Sequence, residues 1–190
     1  MRLRASLAFV KSALTILKLK RDRLAEELNL LLKEIARRDK AEEQSMKVYE
    51  DFKVALVALG TSKVSSNTDS IGEMKIDVNP RSIMNVLVPT TEIREKPAID
   101  IIQDAGLYQV AQKTQILIEE WFEIASLEAS IERIAHELTL VNRKVNAIEK
   151  ALIPVYQEQV NYIEGFLSDE ELEDFTRIKH LKTVSGENKT

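Results

Sequence analysis

Residues 127–155 read LEASIERIAHELTLVNRKVNAIEKALIPV, a stretch whose apolar side chains recur at alternating steps of four and three. A repeat with this spacing lines one face of an α-helix and favours packing against a second helix in a coiled coil. With one polar exception, the same stepping continues to residue 166. The positions on this second repeat are Leu127, Ile131, Ile134, Leu138, Val141, Val145, Ile148, Leu152, Val155, Gln159, Tyr162 and Phe166.

The first third of the chain carries a matching repeat. Steps of four and three from Leu3 to Leu59 pass through seventeen positions, of which thirteen are apolar. Gly60 follows the last of them and suits the C-terminal end of a helix. We therefore predict an all-α fold in which two long helices form an antiparallel, left-handed two-helix coiled coil.

The antiparallel arrangement gives a register for the pair of helices. The equal rise of two helices places Leu59 level with about residue 108, so that the numbers of facing residues add to roughly 167. The polar positions at 38, 42 and 45 then face residues 122–129, where two successive steps of three disturb the second repeat. This level is either a tolerated defect or an open surface on which Trp121 and Phe122 meet a partner.

Positive charge is concentrated at the N-terminus. The first 23 residues contain seven Lys and Arg against Asp22 alone, although the net charge of the chain is −4. An acidic or polar protein partner is one explanation and a solvated basic face is the other; the overall acidity argues against nucleic acid. Arg21 faces Asn146 and Glu149 in the register above, which predicts a charge-assisted hydrogen bond across the pair.

The middle of the chain has a different pattern. EMKIDV at 73–78 alternates apolar and polar residues, NPRS at 79–82 suits a turn, and IMNVLVP at 83–89 resembles a second strand. These segments predict a β-hairpin.

We predict one elongated domain over residues 1–190. It begins with a first long helix at 1–59, followed by a middle segment at 60–106 that ends in a short helix from Pro97 to Gly106. A second long helix at 107–166 follows, then a short terminal helix at 168–182 that begins with the capping box of Ser168 and Glu171, and a disordered tail at 183–190.

The composition offers no chemistry for catalysis. The chain has no cysteine, its five glycines are isolated, and His136 and His180 lie far apart without a set of metal ligands. No apolar run is long enough to span a bilayer. We predict a cytoplasmic protein that is not an enzyme, binds no cofactor or metal, and does not insert into a membrane.

Pro154 lies inside the second repeat, where a proline removes a backbone hydrogen bond and clashes with the carbonyl of Lys150. An interior proline bends a helix. The bend is predicted either to serve function by making the coiled coil eccentric or to be absorbed as a gentle curve.

Four motifs resemble those of the D-subunit family of V-type and A-type rotary ATPases. ILKLKRDRLAEEL at 16–28 is similar to the family's LLKxKRDxL, and NRKVNAIEKALIP at 142–154 to its RVNALExxxIP. IMNVLVP at 83–89 resembles its GVxVP, and EGFLSDEELEDFTRIKHLK at 164–182 its EDFxRLKxxK. The chain departs from the family in a shorter N-terminus, in Asn85 at a usual glycine and in Ile148 at a usual leucine.

The resemblance implies a central stalk, or rotor shaft. Such a protein transmits torque between the catalytic hexamer of A and B subunits and the ion-translocating ring, and it also binds the F subunit and the C (or d) subunit on the ring. It catalyses nothing itself and is peripheral to the membrane. The implied contacts are Lys18, Lys20, Arg21, Arg23, Arg143, Lys144 and Asn146 for the hexamer, Ile76, Val78, Val86, Leu87 and Trp121 for the F subunit, and Ile99 and Ile102 for the ring adaptor, with Pro154 as the kink of the shaft.

A second interpretation is a prefoldin-like coiled-coil chaperone or scaffold, since prefoldin also joins two long helices through β-hairpins. Prefoldin-like chains are shorter and expose apolar helix tips, whereas this chain adds a capped terminal helix and resembles the D-subunit family in its motifs. Co-purification with A, B and F subunits would distinguish the two functions.

Overall fold

A computed structural model describes residues 2–69 and 71–187, with side chains described as far as residue 180. The chain forms two compact units, Met1–Arg21 with Leu140–Thr190 (the terminal unit) and Asp22–Thr139 (the middle unit). The fold is mostly α with one small β-hairpin, as predicted. The elements are α1 (Arg2–Glu34), α2 (Arg37–Leu59), α3 (Thr61–Thr68), β1 (Lys75–Ile83), β2 (Val86–Glu95), α4 (Ala105–Ala147), a π-helical turn (Ile148–Leu152) and α5 (Ile153–Glu187).

In the middle unit, α2 runs antiparallel to α4, and the contacts between them follow the predicted register. Arg38 forms an ion pair of 2.9 Å with Glu128. Towards the other end, Lys113 Nζ lies 2.7 Å from Asp51 Oδ2. The predicted pairing is therefore confirmed in this unit.

In the terminal unit, α1 runs antiparallel to the chain from α4 into α5. Lys18 Nζ lies 2.8 Å from Glu149 Oε1, and Arg4 Nε lies 2.7 Å from Glu164 Oε1. Leu7 and Leu14 of α1 are buried, as are Val141, Val145 and Val160. The register prediction is confirmed here too, to within one residue.

The first long helix is interrupted, which corrects the prediction of one helix over 1–59. A turn at Ile35 and Ala36 separates α1 from α2, and no side-chain cap bonds the start of α2. The interruption falls just before the polar break, where the repeat offers no large apolar side chain to hold a continuous helix against its partner. Ala41 is fully buried instead of the predicted Glu42.

The predicted cap at the end of α2 is confirmed. Gly60 has φ 79°, in the left-handed region, and its backbone N–H donates to the carbonyl of Leu56. The residues after it form α3, a helix that the predicted middle segment, with its one short helix from Pro97 to Gly106, does not include. Val64 explains the difference, because it is buried with Ile102 and Leu107 and gives this short helix an apolar anchor.

The hairpin is present but turns at a different place. NPRS lies within β1, and the turn is made by Met84 and Asn85, whose φ values of 49° and 70° give a two-residue hairpin loop. Pro80 pairs with Pro89 across the ladder. Counted from Ile83 and Val86, the pair next to the turn, Pro80 and Pro89 form a non-hydrogen-bonded pair. A backbone N–H at such a position points away from the other strand, so its absence in proline removes no hydrogen bond between the strands.

The short helix predicted from Pro97 to Gly106 is absent. A single turn, in which the N–H of Ile102 donates to the carbonyl of Ile99 at 3.1 Å, takes its place. Gly106 lies inside α4 instead of ending a helix. Asp104 caps α4, since its Oδ1 accepts from the N–H groups of Gly106 and Leu107 at 2.9 and 3.0 Å.

The C-terminal segment is also one element, not two. α5 continues as helix through Gly165 and Ser168 to Glu187, so the predicted capping box lies inside a helix and begins nothing. Of the predicted disordered tail, residues 183–187 are helical and residues 188–190 lie outside the described residues.

Pro154 follows directly on the π-helical turn. The N–H of Ile153 donates to the carbonyl of Ile148, five residues earlier, instead of to the fourth residue back as in an α-helix. After this turn the buried positions leave the second repeat: Val160 is 6% exposed, whereas Tyr162 and Phe166 are 76% and 61% exposed. The predicted repeat is therefore confirmed as far as Ile148 and wrong from Leu152 onward.

Candidate functional site

An apolar groove runs along the middle unit between α2, α4 and the segments on either side of the hairpin. It encloses about 730 Å³ and its walls are mostly aliphatic and aromatic. The side chains that dominate it are Val48, Tyr49, Phe52, Ile71, Met74, Ile76, Ile99, Ile102, Leu107, Val110, Ile118 and Phe122. A surface of this size and character suits the apolar face of a protein partner.

The hairpin is fixed to α4 through β2. Arg133 donates to the carbonyl of Leu87 at 2.8 Å, and Ser126 donates to the carbonyl of Pro89 at 2.7 Å. Thr91 donates its hydroxyl to the carbonyl of Phe122 at 3.2 Å. The outward carbonyls of Leu87 and Pro89 on β2 thus accept hydrogen bonds from α4, and among the described residues β1 has no second strand beside it.

The four hairpin residues predicted to bind the F subunit lie on two faces. Cross-strand pairing places Ile76, Val78 and Leu87 on one face and Val86 on the other. Ile76 also lines the groove. The second face packs inward at Val88, which is 2% exposed and which the sequence pattern did not single out.

Trp121 is half-buried and already bonded. Its indole N–H donates to Ser45 Oγ at 2.9 Å, and that hydroxyl donates to the carbonyl of Ala41 at 2.7 Å. The polar break and the irregular level of α4 therefore meet, as the register predicted. Phe122 lines the groove, whereas the indole N–H of Trp121 is used within the chain.

The predicted hexamer contacts on α1 are partly engaged within the chain. Lys18 bonds Glu149, and Arg23 forms an ion pair of 3.1 Å with Glu26. The hydrogen bond and the charge of Lys18, with a smaller contribution from the charge of Arg21, hold the pKa of Glu149 below its usual range. Arg21 thus acts on the carboxylate that the sequence predicted it to face.

In the helices of the terminal unit that pair with α1, Arg143, Lys144 and Asn146 are exposed on α4, and Pro154 is exposed near the start of α5. They share the unit with Lys18, Lys20 and Arg21, whereas Arg23 belongs to the middle unit. The predicted hexamer contacts are therefore divided between the two units.

The two residues predicted to meet the ring adaptor differ in burial. Ile102 is 7% exposed and belongs to a core cluster with Val64 and Leu107, against which Ile99 packs half-buried. The neighbouring Ile101 is exposed. At this end of the middle unit the side chain of Ile102 therefore packs beneath the surface, whereas that of Ile101 is exposed on it.

The described residues contain no group of three or more His, Cys, Asp or Glu side chains placed to hold a metal ion. None of the helices there has a stretch both apolar enough and long enough to cross a bilayer.

Comparison with known proteins gives one consistent result. The family model for the D subunit of ATP synthase matches residues 1–183. The D subunit of the A-type ATP synthase of Methanopyrus kandleri is 28% identical over 97% of this chain and 83% of the relative. The same protein of Methanobrevibacter smithii is 30% identical over 89% and 77%, and that of Thermococcus kodakarensis is 26% identical over 96% and 89%.

Proposed function

The chain belongs to the family of ATP synthase D subunits, and from this premise we propose that it is the central rotor shaft of a V/A-type rotary ATPase. As a member of that family it is one component of an A/V-type ATP synthase complex. In the proposed role it carries torque between the A/B hexamer and the ion-translocating ring, on the cytoplasmic side of the membrane, and performs no catalysis. A match over residues 1–183 favours this role over a prefoldin-like chaperone.

The observation that carries the proposal is the antiparallel pairing of helices within each unit. A shaft transmits twist only if its strands cannot slide past each other. In each unit, buried aliphatic side chains such as Val145 and Ile134 form the seam, and ion pairs such as Lys18 with Glu149 and Arg38 with Glu128 bridge it. We propose that Pro154 introduces a bend in the paired helices of the terminal unit.

Rotation is tested by a reversible tether in the assembled complex. The chain has no cysteine, so Phe175→Cys on α5 can be joined specifically to a cysteine placed on a facing catalytic subunit. If the chain rotates, the disulfide stops ATP turnover and a reductant restores it. Full turnover by the tethered complex would contradict the proposal, and the same two cysteines kept reduced serve as the control.

The apolar groove is proposed as the F-subunit site, with Ile76 and Phe122 in its wall and the hairpin face of Val78 and Leu87 beside it. Ile118 lines the groove, and Ile116 is exposed on the same helix outside it. Because an unpaired carboxylate is costly to bury, Ile118→Glu should weaken F binding by roughly tenfold or more, whereas Ile116→Glu should not. Equal affinities in titration calorimetry would place the F subunit elsewhere.

The remaining contacts follow the implied placement. The exposed basic side chains of Arg143 and Lys144, with Asn146 and the basic residues of α1, are proposed to meet the hexamer. The end of the middle unit at Ile99 and Ile102 is proposed to seat on the ring adaptor, where Ile102 supports the surface from within. Hydrogen exchange of the assembled complex tests each contact separately, since a site that gains no protection is not an interface.

A further inference from the structure

The π-helical turn shifts the contact face of α5 by one residue. Before it, the buried side chains Val141 and Val145 lie on the second repeat. After it, the inward positions are the half-buried Ile153 and Tyr156 and the buried Val160. Ile163 and Leu167 are 42% and 51% exposed, but they lie on the same side of α5, because they line a groove with Leu3 of α1.

The ion pairs of the terminal unit are displaced in the same direction. If the pairing of Lys18 with Glu149 continued without change, Arg4 would lie opposite Ile163. Arg4 instead pairs with Glu164, one position further along α5. One extra residue in a helical turn rotates everything after it by about 100° relative to an uninterrupted α-helix.

The sequence of α5 contains two candidate contact faces, offset by one residue. The face that the structure uses consists of Ile153, Tyr156, Val160, Ile163 and Leu167. The face that the uninterrupted repeat would use consists of Leu152, Val155, Gln159, Tyr162 and Phe166. Both are largely apolar, so packing against α1 alone discriminates weakly between them.

Pro154 supplies the discrimination. In an α-helix its ring would meet the carbonyl of Lys150, and its nitrogen could not bond it. The wider π-turn directly before the proline changes which carbonyl each N–H meets, as the bond from Ile153 to Ile148 shows.

We propose that Pro154 is a register-setting residue: by imposing the π-turn it selects the Val160 face of α5 for contact with α1 and presents Tyr162 and Phe166 outward. This role is independent of the rotor function and belongs to the isolated chain. Without the proline, α5 reverts to an unbroken α-helix, rotates by about 100° and turns Tyr162 towards α1.

Disulfide cross-linking of the full chain tests the assignment, since the chain contains no cysteine of its own. Leu7 of α1 is buried at the level of Val160. With Pro154 present, Leu7→Cys should cross-link to Val160→Cys faster than to Gln159→Cys by roughly tenfold, because cysteines whose side chains diverge cannot be bridged. In the Pro154→Ala chain the order should reverse.

Two further variants make the result decisive. Arg21→Cys with Val145→Cys lies entirely before the turn and should cross-link equally with and without Pro154. Deleting the exposed Ala151 from the Pro154→Ala chain removes the extra residue and should restore cross-linking at Val160. If Gln159→Cys already reacts faster in the native chain, or if Pro154→Ala keeps the Val160 preference, Pro154 does not set the register. Even where a Pro154 variant fails to fold, a faster reaction of Gln159→Cys in the native chain overturns the proposal.

Discussion

The burial of leucine side chains on α1 is the feature of the molecule that the sequence predicts most directly. Leu7, Leu14 and Leu24 are buried where steps of four and three place them, because that spacing keeps them on one helical face. The hydrogen bond from Trp121 to Ser45 is of another kind. The apolar repeat marks that level as irregular, but it does not say how two polar groups on facing helices satisfy each other.

Leu24 should contribute strongly to stability. It is fully buried, and Leu24→Ala should lower the free energy of unfolding by about 2–5 kcal/mol through lost burial and the cavity left behind. Leu19 on the same helix is 62% exposed, and Leu19→Ala should change it by no more than about 0.5 kcal/mol. Urea unfolding of the two variants measures the difference, and similar losses would mean that α1 does not pack through Leu24.

The ion pair of Lys18 with Glu149 should make stability depend on pH. The pKa of Glu149 is lowered in the folded chain, chiefly by the hydrogen bond from Lys18, whereas an unfolded glutamate titrates near 4.5. A carboxyl with a lowered folded pKa stabilises the fold above its unfolded pKa, and this contribution is lost as the pH falls through the folded pKa. Native protein should therefore unfold at a slightly higher temperature than Glu149→Gln at neutral pH.

That difference should shrink as the pH falls below about 4.5 and disappear below the lowered pKa of the folded chain, where the carboxyl is protonated in both states. Glu158→Gln, at an exposed position of α5, serves as the matched control. A gap between native protein and Glu149→Gln that stays constant down to low pH would show that the loss comes from packing and not from the charge.

At the scale of elements, helix and strand types were predictable and several ends were not. Asp104 in the sequence DAGL has the signature of a helix N-cap, yet the nearby Pro97 and Gly106 suggested a separate helix that ended there. The sequence therefore contained the signal for the start of α4 at Asp104, but the prediction rested on Pro97 and Gly106 instead. For the π-turn, Pro154 marks a disturbed helix, but the residues after it are apolar on either of two neighbouring faces, so the sequence did not show which face turns inward.

The hairpin turn depends on a residue that tolerates a left-handed backbone. Asn85 has φ 70°, which a β-branched side chain resists. Asn85→Val should destabilise the hairpin by about 1–2 kcal/mol. Asn85→Gly keeps the conformation accessible and should be neutral or stabilising.

Hydrogen exchange at the backbone N–H of Val88 reports this change, because Arg81 and Val88 form a hydrogen-bonded pair of the ladder. Exchange should accelerate in Asn85→Val and not in Asn85→Gly. Equal protection in both variants would mean that the contacts of β2 with α4, rather than the turn, hold the hairpin.

At the scale of the whole molecule, the antiparallel pairing was predictable because two α-helices rise equally along their axes, so that a single matched level fixes all others. The extent of the pairing was not. The apolar repeat runs to Phe166, and Leu172, Phe175 and Ile178 follow it outside the repeat, yet every side chain from 161 to 180 is exposed. Periodicity identifies a face that needs covering, but it does not identify what covers it.

The last prediction concerns that uncovered end of α5. A helical segment with few packing contacts is marginally stable in water, since most helical stability in proteins comes from tertiary contacts. In the isolated chain the amides of residues 168–180 should therefore exchange rapidly, while those of Val141 and Val145 exchange slowly. On assembly with the catalytic subunits, the proposed shaft role places this segment in contact with the hexamer, and its exchange should slow while that of Val141 and Val145 changes little. Slow exchange in the isolated chain would show that the helix is stable without a partner, and unchanged fast exchange in the complex would remove this segment from the proposed interface.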